Sequence, residues 1–480
     1  MFNLFFAVKI RIYHKLENLL RNKYYLYCKK NKSIIMYLKF DSEKGKEMLI
    51  KAYSKLNKES LKARSVVEPN ATERNQYHRD FTRILYSPSF RRLQGKMQIL
   101  GIQNDAFFRN RLTHSLEVSQ IARDIASIIG QIVGNDAYSA ATDLYVIEAA
   151  ALAHDIGHPA FGHSGERCLD EICKNYNLGR FEGNAQNFRV LNHIEKKLPN
   201  SKGLNLTYRT LLAINKYIVK ENKKSDKILY AEDYDMLFEI REKLGLLNER
   251  TLDVQIIDVA DEIAYAVHDL EDGLSLGYFN IDEITYQLQT DLGESAKEVV
   301  LFKQMVNDAK QLATQSTSYK TTQEYSQIFR RALVSKLTNR FIQDVGWVEV
   351  EDKQKKEHGT PNITHELGCC EWNRLVHKLK KIIYKAATRH DTIRLYEKRG
   401  SIVINALFKI YSDKENYQLL TPDYRPNIDY KKDKITKKEQ RKLNRAAVDF
   451  ISGMMDDFAK SMYKRYYNIN FDEIPIRTLE

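Results

Sequence analysis

A chain of 480 residues that is 43% hydrophobic can bury a large core, and its length allows two or three domains. Only 8 prolines and 20 glycines argue against a turn-rich β architecture and for long helices. The net charge of +13 comes from 76 basic and 63 acidic residues and is concentrated in two stretches, so basicity does not mark the whole molecule as a polyanion binder.

The first basic stretch is residues 1–35, with eight Lys/Arg against Glu17. It opens on MFNLFFAVKI, an apolar run too short to span a bilayer and followed, not preceded, by its basic residues, so it reads as neither a membrane anchor nor a signal peptide. Two readings stay open: an amphipathic N-terminal helix, or a start placed too early with Met36 as the true beginning. Lys44–Leu61 has a charged helical pattern, Ser65–Tyr77 reads as a polar linker, and Asp80–Ile102 carries FRRLQGKMQIL, which offers Arg91, Arg92, Lys96 and Gln98 to an anion or to solvent. In RNRLTHSLEVSQIARDIASIIG, His114, Val118, Ile121 and Ile125 recur at helical spacing, so His114 begins the stripe that faces the core. Gly134–Thr142 has loop composition, and Leu144–Asp155 is a second apolar helix.

That helix runs into AAALAHDIGHPAFGHSGE, Ala149–Glu166, around which the chain is organised. His154, Asp155, His158, His163 and Glu166 fall within thirteen residues, around Gly157 and Pro159, which end a helix. Adjacent His154 and Asp155 reach one cation only if it sits beside the closing helix. Polar groups crowded at a helix end are costly to bury without a ligand. Next, LGRFEGNAQNFRVLNHIEKKL reads as a loop turning into a helix, GLNLTYRTLLAINKY as a helix with Thr207 near its start, and residues 221–235 as a charged connection. In DVQIIDVADEIAYAVHDLEDG, Ile256, Ala260, Ile263, Ala264 and Val267 fit a buried helix, while Asp261, Tyr265 and Asp269 lie four apart on one face, a poor core and a good pocket wall. Helical patterns continue to about Ile342, a polar insertion-like segment spans Glu349–His365, and helices resume at Trp372–Ala387 and Tyr396–Tyr411. RAAVDFISGMMDDFAKSMYKRYYN closes the helical pattern, after the second basic stretch, residues 431–445, with eight Lys/Arg against Asp433 and Glu439.

The five cysteines include no CxxC pair, which fits a reduced, cytoplasmic protein without a zinc ribbon. No internal repeat, Walker loop or dinucleotide glycine pattern is present. His114, His154, Asp155 and Asp261 together form a mixed N/O set suited to Mn²⁺, Mg²⁺ or Fe²⁺ more than to zinc, and they leave about two octahedral positions for water and a phosphate oxygen.

This H…HD…D order resembles the HD superfamily of metal-dependent phosphohydrolases. RLTHSLEVSQIAR, HDIGHPAFGHSGE, FEGNAQNFRVL, LNLTYRTL, DEIAYAVHDLEDG and SGMMDDFA, in that order from about Arg74 to about Tyr466, resemble more specifically the deoxyguanosine triphosphate triphosphohydrolases. The resemblance implies an all-α, multi-helix HD-domain fold with a helical C-terminal part, His114, His154, Asp155 and Asp261 as metal ligands, and His163 with Glu166 as a catalytic pair beside the α-phosphate. It implies Lys96 and Arg111 as phosphate contacts and Gln98, Tyr265 and Asp269 around the deoxyribose; His158 stands where some relatives carry another residue and is given only an auxiliary phosphate role. Glu397 and Gly400, in YEKRGSIVI, loosely match the family's ELxGY element near the base or a subunit interface.

The division expected is an N-terminal extension at 1–43, a catalytic domain at 44–415 with an insertion near 349–365, and a C-terminal basic segment and helix at 416–480. The activity expected is hydrolysis of a deoxynucleoside triphosphate, foremost dGTP, to deoxynucleoside and inorganic triphosphate, by a homo-oligomer with no membrane attachment and with basic patches open to single-stranded nucleic acid. Two alternatives stand beside it: another HD phosphohydrolase acting on alarmones or cyclic nucleotides, and a nucleotide- or single-strand-binding regulator.

Overall fold

A computed structural model describes residues 37–68, 75–98, 109–134, 136–139, 142–199, 202–222, 225–315, 318, 320–431 and 434–476. The N-terminal basic stretch, with its two readings, and residues 99–102 of the Asp80–Ile102 segment lie outside the described residues.

The scaffold begins with helix Arg111–Val133. Asn110 caps it in a reciprocal box with Thr113, satisfying amide groups that a helix start leaves unpaired, and Gly134 at φ 75° ends it. Its Val118, Ile121, Ala122 and Ile125 face helix Leu144–Ala153, where Val146, Ile147 and every residue of Ala149–Ala153 are buried. A helix apolar on all sides belongs at the centre, and small alanine side chains let neighbouring helices approach it closely. Helix Leu252–Leu276, capped by Thr251 and closed by Gly277 at φ 69°, packs its Ile256, Ala260, Ile263 and Val267 face into the same core. Helices Tyr208–Ile214, Lys297–Thr314, Thr322–Ile342 and Asn373–Ala387 are among those that add to it.

A second core lies beside the first. Phe161 and helix Gly162–Asn175 pack against helix Asp391–Tyr411 through Leu169, Val403, Ile404 and Leu407, and helices Lys437–Ser452 and Asp456–Tyr467 close over them. The segment bearing His158 and His163 thus leaves the first core and enters the second.

The fold is helical, as expected, with one small addition. Tyr37–Lys39, Val345–Glu349 and His365–Cys369 form an antiparallel three-stranded sheet in that order, with Tyr37 opposite Val348 and Val345 opposite Cys369. The polar segment read as an insertion therefore connects two paired strands and contains helix Asp352–His358. Helix Ala231–Leu244 starts inside the stretch read as a charged connection, because its early acidic residues Glu232 and Asp233 favour a helix N-terminus. No helix among the described residues is long and apolar enough to cross a membrane.

Candidate metal centre and cleft

Helix Leu144–Ala153 ends on His154, and the chain then turns sharply through Asp155–Gly157. Two side-chain contacts hold that turn: the Asn187 amide donates to the His154 carbonyl and accepts from the Gly157 N–H. Gly157 is required there, because a Cβ would lie 2.2 Å from the Asn187 nitrogen.

Four side chains converge at the turn. Single ligand atoms of His114, His154 and Asp155 lie within 4.8 Å of one another, a spacing able to hold a metal ion. Asp261 joins them from its own helix, with Oδ1 3.1 Å from His114 Nε2 and 3.6 Å from His154 Nε2. The His154 Nδ1–H donates to the Ala151 carbonyl at 2.6 Å, which fixes the tautomer and leaves Nε2 as a lone-pair donor. That Nε2 is buried with no hydrogen-bond partner, 3.7 Å from Asp155 Oδ1. An orphaned imidazole nitrogen between two carboxylates fits a divalent cation.

The local field agrees. Burial opposes a charge on His154, but Asp155 and Asp261 outweigh it and push the imidazole up to about 9, so this point favours positive charge. Burial alone would raise the Asp155 carboxyl, yet Arg111, His158 and His154 hold it well below the usual range. Burial likewise works against Asp261, and the hydrogen bond with His114, with the nearby charges of His154 and Lys216, holds it down.

The centre opens on a cleft of about 520 Å³. His158 and His163 line one side; His158 Nδ1 lies 3.0 Å from Asp155 Oδ1, and His163 Nδ1 lies 3.2 Å from Glu166 Oε2. Glu166 is steadied through its other oxygen by the Gly183 N–H at 2.8 Å, while the His163 side chain stays 44% exposed. Tyr265 and Asp269 form the wall one and two turns beyond Asp261. The Tyr265 ring sits between His114, 4.9 Å away, and the Lys380 ammonium, 4.9 Å from its centroid. Burial and neighbouring Asp272 push the Asp269 carboxyl well above the usual range.

Three residues expected to touch substrate, Lys96, Arg111 and Gln98, are buried and are not among those that line the cleft. Lys96 is buried and donates to the His158 and Ser452 carbonyls at 2.5 and 2.9 Å, so its ammonium is spent on backbone; burial brings it down to about 7. Arg111 is buried and gives its Nη1 to Asp155 Oδ2 at 2.5 Å. Gln98 is buried with neither amide atom partnered among the described residues, its backbone beside Gly162.

The cleft also contains groups that the sequence reading passed over. Lys216, Tyr217 and Lys227 line it, Lys216 paired with Asp258 and 4.0 Å from Asp261 Oδ2. Across from them, His377, Lys380, Lys381 and Tyr384 project from helix Asn373–Ala387. Their spacing of three, four and seven puts them on one face opposite Leu375, Val376, Leu379 and Ile383, a polar stripe that alone reads as a solvated surface.

Comparison with known proteins finds matches that span this region. The HD domain family model matches residues 111–266, and the phosphohydrolase-associated domain model matches residues 371–465. A Vibrio cholerae protein named deoxyguanosinetriphosphate triphosphohydrolase-like protein 2 is 38% identical over 404 residues, 83% of this chain and 90% of that one. Proteins with corresponding names from Wolinella succinogenes and Deinococcus radiodurans are each 31% identical, covering 82% and 84% of this chain and 96% and 94% of their own.

Proposed function

This chain belongs to the deoxyguanosinetriphosphate triphosphohydrolase-like family of HD-domain, metal-dependent phosphohydrolases, and from that premise we propose that it converts a deoxynucleoside triphosphate, foremost dGTP, to the deoxynucleoside and inorganic triphosphate. The observation that carries the reading is the set of groups that meet at the cleft: the His114, His154, Asp155 and Asp261 cluster, the His163–Glu166 pair, and lysines lining the same space. A divalent cation held by the cluster, Mn²⁺, Mg²⁺ or Fe²⁺, supplies Lewis acidity toward a phosphoryl oxygen and toward water.

The chain's own residues do the rest. Water attacks the α-phosphorus and releases one proton, the bond to the 5′ oxygen breaks, and His163, oriented by Glu166, gives that oxygen a proton and is restored by the one that the water released. Lys216, Lys227 and Lys380 neutralise the outer phosphates, so the three phosphates leave together. Tyr265 and Asp269 line the space one and two turns beyond Asp261, where the sugar follows the α-phosphate. Guanine is the base that the names of the relatives carry.

Product analysis with the four deoxynucleoside triphosphates, with and without Mn²⁺ and in ¹⁸O water, tests the reading. The label is expected in released triphosphate and absent from the nucleoside. Label in a nucleoside monophosphate or in pyrophosphate would replace it with a different phosphohydrolase chemistry.

A further inference from the structure

The turn that presents His163 is held from outside the matched HD domain. Between His158 and His163 the chain passes through Phe161, which adopts φ 61° and ψ 25°, a left-handed conformation unfavourable for a bulky L-residue. Such a conformation persists only where the surroundings over-determine it. Here they come from the region of the phosphohydrolase-associated domain. Asp456, at the start of helix Asp456–Tyr467, accepts the Phe161 N–H on Oδ1 at 3.1 Å, and on Oδ2 it accepts the Met97 N–H at 3.1 Å and the Tyr396 hydroxyl at 2.8 Å.

The Phe161 ring is fixed by the same lobe. It is fully buried, packs edge-on against Tyr396 at 5.5 Å and stacks on Phe471 at 5.7 Å. Gly400 leaves the room, since a Cβ there would stand 2.4 Å from the ring. The other end of the turn is tied as well, through the Lys96 ammonium that joins the His158 and Ser452 carbonyls.

One carboxylate therefore joins three segments: the turn two residues before His163, the strand-like stretch leading into Gln98, and helix Asp391–Tyr411. We propose that Asp456 is a positioning residue for His163, holding the left-handed turn that keeps His163 against Glu166. If that acceptor is lost, Phe161 relaxes toward right-handed φ, the first turn of helix Gly162–Asn175 rotates, and His163 leaves its 3.2 Å contact with Glu166. The proposal rests on the role given to His163 above.

The test is Asp456→Asn in the full chain, an isosteric change that leaves one acceptor oxygen for three donors, so that the amide NH₂ is set against the N–H of either Phe161 or Met97 and the three-way tie is broken. With the four deoxynucleoside triphosphates and Mn²⁺, kcat is expected to fall about 10- to 100-fold, in line with the cost of misplacing a reacting group by an ångström, with KM within about threefold. In a His163→Ala background the same substitution should cause no further loss. Hydrogen exchange should accelerate in the peptide spanning residues 158–165 and stay unchanged in helix Asp391–Tyr411. An unchanged kcat, additive losses in the two backgrounds, or exchange raised equally through both segments would overturn the proposal. If the unmodified chain releases no product from any of the four nucleotides, the functional reading fails on its own. The exchange measurement then decides the clamp: a local rise supports it and none refutes it. Should Asp456→Asn not fold, Tyr396→Phe removes one donor and keeps the carboxylate, and is expected to show the same pattern with about a threefold loss in kcat.

Discussion

Asp155 serves two partners with its two oxygens. Oδ2 takes the buried Arg111 guanidinium at 2.5 Å, and Oδ1 faces His158 and the proposed cation position beside His154. Replacement by Ala therefore removes a ligand and also leaves Arg111 buried and unpaired, a change that typically costs about 3–5 kcal/mol. Asp155→Ala is expected to lose bound metal and turnover together and to lower Tm by several degrees. Asp155→Asn keeps an acceptor for Arg111, so it should lose metal and turnover with a smaller fall in Tm. Metal analysis of the purified variants beside thermal unfolding checks both, and near-normal metal content in either would remove Asp155 from the ligand set.

At the scale of the element, helix Leu252–Leu276 sets the distance between the proposed metal and sugar positions. Tyr265 is one turn from Asp261, a rise of about 6 Å, and its ring packs beside His114. A rigid ring there leaves little room beside a sugar C2′, and a ribose hydroxyl pressed against it loses water without gaining a partner. Tyr265→Ala is expected to raise kcat/KM for GTP relative to dGTP by about tenfold while leaving metal content unchanged. An unchanged ratio would mean that the sugar is read elsewhere. This face could be read from spacing alone, because Asp261, Tyr265 and Asp269 are polar at every fourth position of an apolar helix. The close of helix Leu144–Ala153 at His154 was equally legible, from Gly157 and Pro159. The stripe His377, Lys380, Lys381 and Tyr384 was not, because an amphipathic helix facing a water-filled cleft carries the same pattern as one facing bulk solvent. Nor was the diversion of Lys96, since a lysine beside arginines gives no sign that two carbonyls from distant segments will claim it. The sheet escaped for a related reason: its first strand is three residues long and pairs with residues some three hundred positions away.

At the scale of the whole molecule, a buried polar network centred on Asp449 ties the second core to helix Gly183–Arg189 beside the cleft. Asp449, on helix Lys437–Ser452, binds Arg189 with both oxygens at 2.7–3.0 Å, accepts the Gln186 amide at 3.0 Å and pairs with Arg445 at 3.3 Å. Gln186 and Arg189 belong to helix Gly183–Arg189, whose Gly183 N–H steadies Glu166 and whose Asn187 holds the turn at His154. The network and the cleft are therefore mechanically continuous. Burial alone would raise the Asp449 carboxyl, but Arg189 and Arg445 outweigh it and lower it below its ordinary value. A carboxyl lowered in the folded state contributes stability that is fully present above the unfolded value, near 3.8, and is lost as pH falls below it toward the folded value. Asp449→Ala is expected to cost about 3 kcal/mol near neutral pH by leaving two guanidinium groups without their shared anion. It should also flatten the acid limb of the stability curve below about pH 4. Pairing it with Arg189→Met should recover part of the loss, because replacing both partners of a buried pair removes the desolvation penalty along with the attraction. Urea unfolding of the two single variants and the double, at pH 7 and at pH 3.5, measures the coupling. Additive losses at both pH values would mean that Arg189 and Asp449 contribute independently and that the second core is held to this helix by apolar packing instead.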